Sequence, residues 1–162
     1  MEPIGVAMGK EIERKFLVRP RGWIAPGTGV AIRQGYLSAG EDGTVRVRIA
    51  GDRAYLTIKG PTTGMSRDEY EYEIPPADAE EMLARMCRKR TIEKTRYRVP
   101  FGGHTWEVDE FSGDNRGLVV AEVELADEKE PVEIPEWIDR EVTGDPRYYN
   151  ANLAEHPFSS WR

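Results

Sequence analysis

The 162-residue chain has a single cysteine, Cys87, so no disulfide can form within it. A lone thiol reads more simply as a half-buried small hydrophobe than as a nucleophile, and so little cysteine suits a reducing, cytoplasmic setting. There are only two histidines, His104 and His156; both stand near turns, and neither falls in a metal-ligand spacing. No apolar run approaches the roughly 18 residues of a membrane span. No basic segment followed by an apolar stretch opens the chain, so no signal peptide is expected. A phosphate-binding glycine loop and a dinucleotide fingerprint are both missing. The four tryptophans, Trp23, Trp106, Trp137 and Trp161, lack the interleaved basic residues of a nucleic-acid stacking platform and are expected to pack outside the barrel that the strands below imply. A net charge of −6 also argues against a nucleic-acid partner, and neither nucleic acid nor membrane is expected as one.

What the chain does have is charge and alternation. Charged residues make up 32% of it. Residues 1–9 read as a loose leader and 10–162 as one domain, without repeat, linker or low-complexity tract. Short alternating runs predict strands near 10–18, 30–38, 43–50, 53–60, 67–74, 92–99, 104–111 and 117–126. Gly40-Glu41-Asp42-Gly43, Gly51-Asp52 and Phe101-Gly102-Gly103 read as tight turns, so most neighbouring strands should be antiparallel. Two helices are expected. Residues 77–88 place Ala79, Met82, Leu83, Met86 and Cys87 on one face, with acids first and basic residues last. Residues 146–155 follow Asp145 as a cap and Pro146 in the first turn, and Pro157 prevents continuation. A short helical turn is expected around Glu136 to Asp139.

The anomaly lies in which residues share a face. Side chains two apart along a strand point the same way. Glu11, Glu13 and Lys15 therefore stand together, as do Arg46 with Arg48, Thr57 with Lys59, and Lys94 with Arg96 and Arg98. So do Arg67, Glu69, Glu71 and Glu73, Glu107 with Asp109, and Glu122 with Glu124. A sheet with one solvated face would explain any one strand. Seven such strands sorted by sign, with little Ser, Thr, Asn or Gln among the pairs, point instead to a sheet closed on itself with the charges inward. A barrel of about eight strands can hold one small ligand. The apolar faces then point outward, to be covered in part by the two helices and the Trp-rich loops. Crowded like charges in such a lumen are tolerable only with a ligand of opposite sign. Arg and Lys suit a polyanion, and carboxylates suit a hard cation such as Mg²⁺. A metal-bound polyphosphate satisfies both.

The run Glu11-Ile12-Glu13-Arg14-Lys15 resembles the ExExK signature of the CYTH superfamily, the triphosphate tunnel metalloenzymes. Further segments similar to that family follow in order: Arg33 to Leu37, Val45 to Arg48, Leu56 to Lys59, Ser66 to Glu71, Glu93 to Tyr97, Glu107 to Asp109, Glu122 to Glu124, and a tail holding Glu141-Val142-Thr143, Arg147-Tyr148 and Asn150. The likeness spans about residues 10–155. It implies a mainly β fold of the α+β kind: a closed eight-stranded antiparallel tunnel with a charged interior and a few flanking helices. It also implies a triphosphate ligand and a requirement for Mg²⁺ or Mn²⁺; two ions are expected, since two cations would relieve the repulsion among carboxylates crowded in such a tunnel. The short bacterial members it resembles are typically inorganic triphosphatases. A class IV-type adenylate cyclase, a thiamine triphosphatase and a non-catalytic polyphosphate-binding module are the alternatives.

The resemblance assigns Lys15, Arg46, Arg48, Lys59 and Arg96 to the phosphate cradle. It assigns Glu11, Glu13, Asp109, Glu122 and Glu124 to metal. Glu69 and Glu71 either orient water or pair with neighbouring cations. Lys94 and Tyr36 correspond to a Lys–Tyr pair that supports catalysis, the alternative being one more phosphate contact and a packing residue at the rim. A homodimer is expected only on general frequency.

Overall fold

Alternating polarity closes into a barrel in the computed structural model, which describes residues 8–161 apart from residue 24 and the side chains of residues 8 and 88–90. The strands are β1 (Met8–Val18), β2 (Val30–Gly40), β3 (Gly43–Ala50), β4 (Arg53–Lys59), β5 (Ser66–Ile74), β6 (Arg88–Phe101), β7 (His104–Phe111), β8 (Val119–Glu124) and β9 (Ile138–Glu141). Around the barrel they run β5-β4-β3-β2-β6-β7-β8-β1, and β1 returns to β5. Every pairing is antiparallel.

β1 is the seam. Its residues 8–12 pair with β5, and residues 13–17 pair with β8 on the opposite edge. Past the end of β5, β9 takes over the first edge through Phe16 and Val18. The expected helical turn around Glu136 to Asp139 is therefore corrected. Ile138 is a strand residue, paired with Val18 and buried beside it, and that packing outweighs any local helical preference. The strand also starts earlier than the expected leader allows. Met8 and Gly9 already pair with Tyr70 and Glu69, while residues 1–7 lie outside the described residues.

The turns follow their glycines. Gly102 and Gly103 both have positive φ, 58° and 81°, as a two-residue hairpin of the twist-matching kind requires between Phe101 and His104. Gly43 has φ 130°, and a Cβ there would meet the Lys59 carbonyl at 2.3 Å, so no other residue fits.

Helix α1 (Pro76–Arg85) lies on the outside, where Ala79 and Leu83 cover Val47 and Ala54. It ends before the expected residue 88. Both Met86 and Cys87 donate to the Met82 carbonyl, and Arg88 then enters β6 opposite Tyr36. A second outer cluster joins Phe16, Trp106, Val108, Val123 and Ile138 beneath Trp23 and Trp137. Trp106 is completely buried there, edge-on to Trp137.

Helix α2 (Asn150–Glu155) follows a 3-10 turn over Pro146–Tyr148, whose first turn Asp145 caps by accepting from the Arg147 N–H. It does not cover the outer wall. Ile92, Phe111 and Val120 have the same parity as the inward charges of their strands, and they form an apolar layer across one end of the barrel with Tyr36, Tyr148, Leu153 and Ala154. The C-terminal segment thus caps that end, and its first residue points to the lumen. Among the described residues, no helix is long and apolar enough to cross a membrane.

Candidate active site

The inward face of the barrel encloses a cavity of about 380 Å³. Strand parity delivers Glu11, Glu13, Lys15, Tyr36, Arg46, Arg48, Lys59, Glu69, Glu71, Lys94, Arg96, Glu122 and Glu124 to its lining. Fourteen residues carry the sequence expectations, and thirteen of them line this one space. Asp109 is the exception. It is 2% exposed and lies just behind the lining.

The lumen has two walls of opposite character. β2, β3 and β6 make the basic wall. Arg46 Nε is buried and meets no hydrogen-bond partner among the described residues. Its Nη2 donates to Thr57 Oγ1 at 3.2 Å and reaches Glu71 at 3.5 Å. Thr57 donates to the same Glu71 oxygen at 2.8 Å, so Glu71 is occupied with neighbours. Burial, with Arg46 and Arg96 close by, lowers Arg48 to about 9. Arg96 is gripped by Asp109 through two bonds of 2.8 and 2.9 Å. Lys94 Nζ lies 2.7 Å from Asp109 Oδ2 and donates to Asn150 Oδ1 at 2.9 Å. Burial lowers Lys94 to about 7; Asp109 opposes the shift, while Arg96 and Arg48 add to it. Burial alone would raise Asp109, but Arg96 and Lys94 outweigh it and hold the carboxyl well below the usual range. Both oxygens of Asp109, expected as a metal ligand, are engaged by Arg96 and Lys94 in this arrangement.

β1, β5 and β8 make the acidic wall. Glu13 faces Glu124 across the seam, and Lys15 faces Glu122. Burial, then Glu122 and Glu11, push Glu13 well above its ordinary value. Burial and a hydrogen bond to Glu11 raise Glu69 to about 7. Burial, then Glu11 and Glu107, also raise Glu124. Glu11 goes the other way, because its bond with Glu69 and the Lys59 ammonium overcome burial. Two expected cradle residues stand on this side. Lys59 Nζ sits 3.1 Å from both Glu11 and Glu69. Lys15 Nζ lies 3.5 Å from Glu122, donates to the Tyr148 carbonyl at 3.2 Å and rests over the Tyr149 ring. Both lysines partly neutralise carboxylates, yet burial and neighbouring carboxylates still raise Glu13, Glu69 and Glu124 above their ordinary values. A hard cation bound there would oppose those shifts. Among the described residues no three acidic, His or Cys groups form a preassembled cage. The wall suits a hard cation that completes its shell with ligand oxygens or water.

α2 closes only part of its end of the barrel. Between it and the β2–β3 hairpin, a second hollow of about 510 Å³ shares Thr44, Arg67, Tyr149 and Ala151 with the lumen.

Residues 9–156 match the CYTH domain family model. An inorganic triphosphatase of Acetivibrio thermocellus is 54% identical over 155 residues, covering 96% of this chain and 99% of that protein. This chain belongs to the CYTH domain family. An inorganic triphosphatase of Nitrosomonas europaea is 40% identical over 151 residues, 89% of this chain and 96% of its own. The crystal structure of the inorganic triphosphatase NE1496 superposes with a TM-score of 0.63 at 36% identity, covering 89% of this chain and 93% of that one.

Several residues of this CYTH domain's lumen carry no sequence-based role. Arg98, Glu107 and Arg67 share the parity of assigned neighbours, and that parity was the signal for them. Gln34, buried just behind the lining, shares the parity of Tyr36 and lies within the segment Arg33 to Leu37, but as a neutral residue it was assigned no role. Asn150 and Tyr149 arrive from the C-terminal segment, where no periodicity announces which side chain enters a barrel.

Proposed function

We propose that this protein hydrolyses inorganic triphosphate to pyrophosphate and phosphate in the barrel lumen, with a divalent ion, Mg²⁺ or Mn²⁺, held on the acidic wall. The observation that carries this reading is the buried Arg46 Nε, without a hydrogen-bond partner among the described residues, in a lumen whose opposite wall holds Glu13 and Glu69 raised by burial and by neighbouring carboxylates. A chain of phosphates bearing metal supplies what each wall is missing. The relatives named as inorganic triphosphatases support the same reading.

Arg46, Arg48 and Arg96 bind and orient phosphate oxygens and meet the charge that develops on them. Arg96 is itself steered by Asp109. Lys15 and Lys59 hold the carboxylates of the acidic wall in place and present their remaining N–H groups to the ligand. Glu11, Glu13, Glu122 and Glu124 would hold the metal, with Glu69 beside them. A bound ion of this kind neutralises phosphate charge and lowers the pKa of a water ligand. In the overall step, water oxygen bonds to a terminal phosphorus, the bridging P–O bond breaks, and pyrophosphate leaves. Lys94, lowered to about 7, stands ready to hold or pass the proton released from water, and Tyr36 O–H donates to phosphate oxygen.

The test is a substrate panel of tripolyphosphate, thiamine triphosphate, ATP and longer polyphosphate, each with Mg²⁺ and Mn²⁺. Metal-dependent phosphate release should be fastest from tripolyphosphate, and Glu122→Gln should lower it about 100-fold or more. Faster turnover of ATP, cyclic AMP as product, or tight binding without turnover would each overturn the proposal.

A further inference from the structure

Gln34 sits at the centre of β2, completely buried, between Arg48, Tyr36 and Asn150. Its Oε1 accepts from Arg48 Nε at 2.8 Å. Its Nε2 donates to Tyr36 OH at 3.1 Å and to Asn150 Oδ1 at 3.3 Å. Asn150 Oδ1 also accepts from Lys94 Nζ at 2.9 Å. Tyr36 and Lys94 are thus joined through Gln34 and Asn150.

We propose that Gln34 is a positioning residue that fixes the donor and acceptor roles along this bridge, turning the Tyr36 hydroxyl proton and one Lys94 N–H into the lumen. The proposal rests on the hydrolytic reading above. The direction of each bond follows from what the groups are able to do. A guanidinium only donates, so the Gln34 atom facing Arg48 Nε is the amide oxygen. The amide nitrogen then faces Tyr36 and Asn150, and an amide N–H2 has two protons to give and no lone pair to offer. Tyr36 oxygen must accept one of them, which leaves the phenol's own proton free. Asn150 must present its oxygen to the other, and the same oxygen takes one proton of Lys94. Asp109 takes a second Lys94 proton at 2.7 Å. In its protonated form Lys94 has three, and the third is left for the cavity that Lys94 and Tyr36 both line. One arginine thus sets the orientation of two amides. The two amides set how a hydroxyl and an ammonium meet the substrate. A Gln at this position is needed for both of its ends, which explains a neutral residue among lumen charges.

The test is a double-mutant cycle in kcat for tripolyphosphate hydrolysis with Gln34→Leu and Tyr36→Phe, supported by melting curves for each variant. If Gln34 acts through the Tyr36 hydroxyl, each single change lowers kcat about 10- to 100-fold, and the double variant is little slower than the slower single one. Gln34→Leu also raises KM, because Arg48 loses its acceptor, and Tyr36→Phe does not share that rise. Multiplying effects in the double variant would overturn the proposal, since a merely structural glutamine has no reason to depend on the phenol oxygen. If Gln34→Leu does not fold, Gln34→Glu replaces it. That variant has the same shape and keeps an acceptor for Arg48 but loses both N–H groups, and the same non-additivity in kcat is expected. Absence of turnover in the unaltered enzyme would sink the hydrolytic reading alone. The cycle is then measured in tripolyphosphate affinity by calorimetry, where additive losses overturn the bridge and non-additive losses sustain it.

Discussion

Lys94 shows how burial converts an ordinary side chain into a chemical one. Its usual value near 10.5 falls to about 7 because the ammonium is desolvated, although Asp109 opposes the change. The sign of the pH effect follows directly. Between pH 7 and 10.5 the unfolded chain keeps this proton and the folded one has lost it, so the unfolded state binds more protons and stability rises with pH through this group. The slope from one such group is at most about 1.4 kcal/mol per pH unit. Lys94→Met removes it. Denaturant titrations of the two proteins from pH 7 upward should therefore show the unaltered protein gaining on the variant as pH rises. A constant difference across that window would show that Lys94 keeps its proton in the folded state. The inward pointing of Lys94 was legible from strand parity alone. Its partner Asn150 was not, since it arrives from a C-terminal segment remote in sequence, whereas Asp109 follows from the short β6–β7 hairpin that sets it opposite Arg96.

At the scale of elements, α1 works as a cover held close by a glycine. Gly35 lies beneath the end of the helix, where a Cβ would come within 2.8 Å of Cys87 Sγ and 3.0 Å of Leu83 Cδ2. Gly35→Ala should push α1 and the following bend off the wall and cost about 1–3 kcal/mol. Equilibrium unfolding measures this, and a change below about 0.5 kcal/mol would show that α1 is free to shift. The apolar face of α1 was readable from its spacing, because one side of a single helix meets one wall. Residues 146–155 were readable as helical from Pro146 and the Asp145 cap, but those belong to the 3-10 turn, α2 begins only at Asn150, and its place as the end-piece of the barrel was not readable. Six residues carry too little pattern to say which surface they meet, and Leu153 is buried by contacts with strands that lie far before it. β9 was misread for a related reason. A four-residue strand with one buried side chain, Ile138, has no period to display and is defined by its pairing with β1.

Across the whole molecule, the barrel keeps two charged walls facing each other, each incomplete without a ligand. The fold was legible because alternation and turn glycines report strand sidedness directly, and the lumen was legible because charges of one parity could not all face water without polar dilution. The separation into a basic β2–β3–β6 wall and an acidic β1–β5–β8 wall was not, since strand order around a barrel is set by long-range pairing. The consequence is that anion and metal should bind together more strongly than either alone. The most direct measurement is the melting midpoint with imidotriphosphate, whose P–N–P bridges resist hydrolysis, with Mn²⁺, and with both. The two-wall arrangement predicts that the joint rise exceeds the sum of the separate rises by about 3 °C or more, roughly 1 kcal/mol of coupling for a chain of this size. A joint rise no larger than the sum would contradict it.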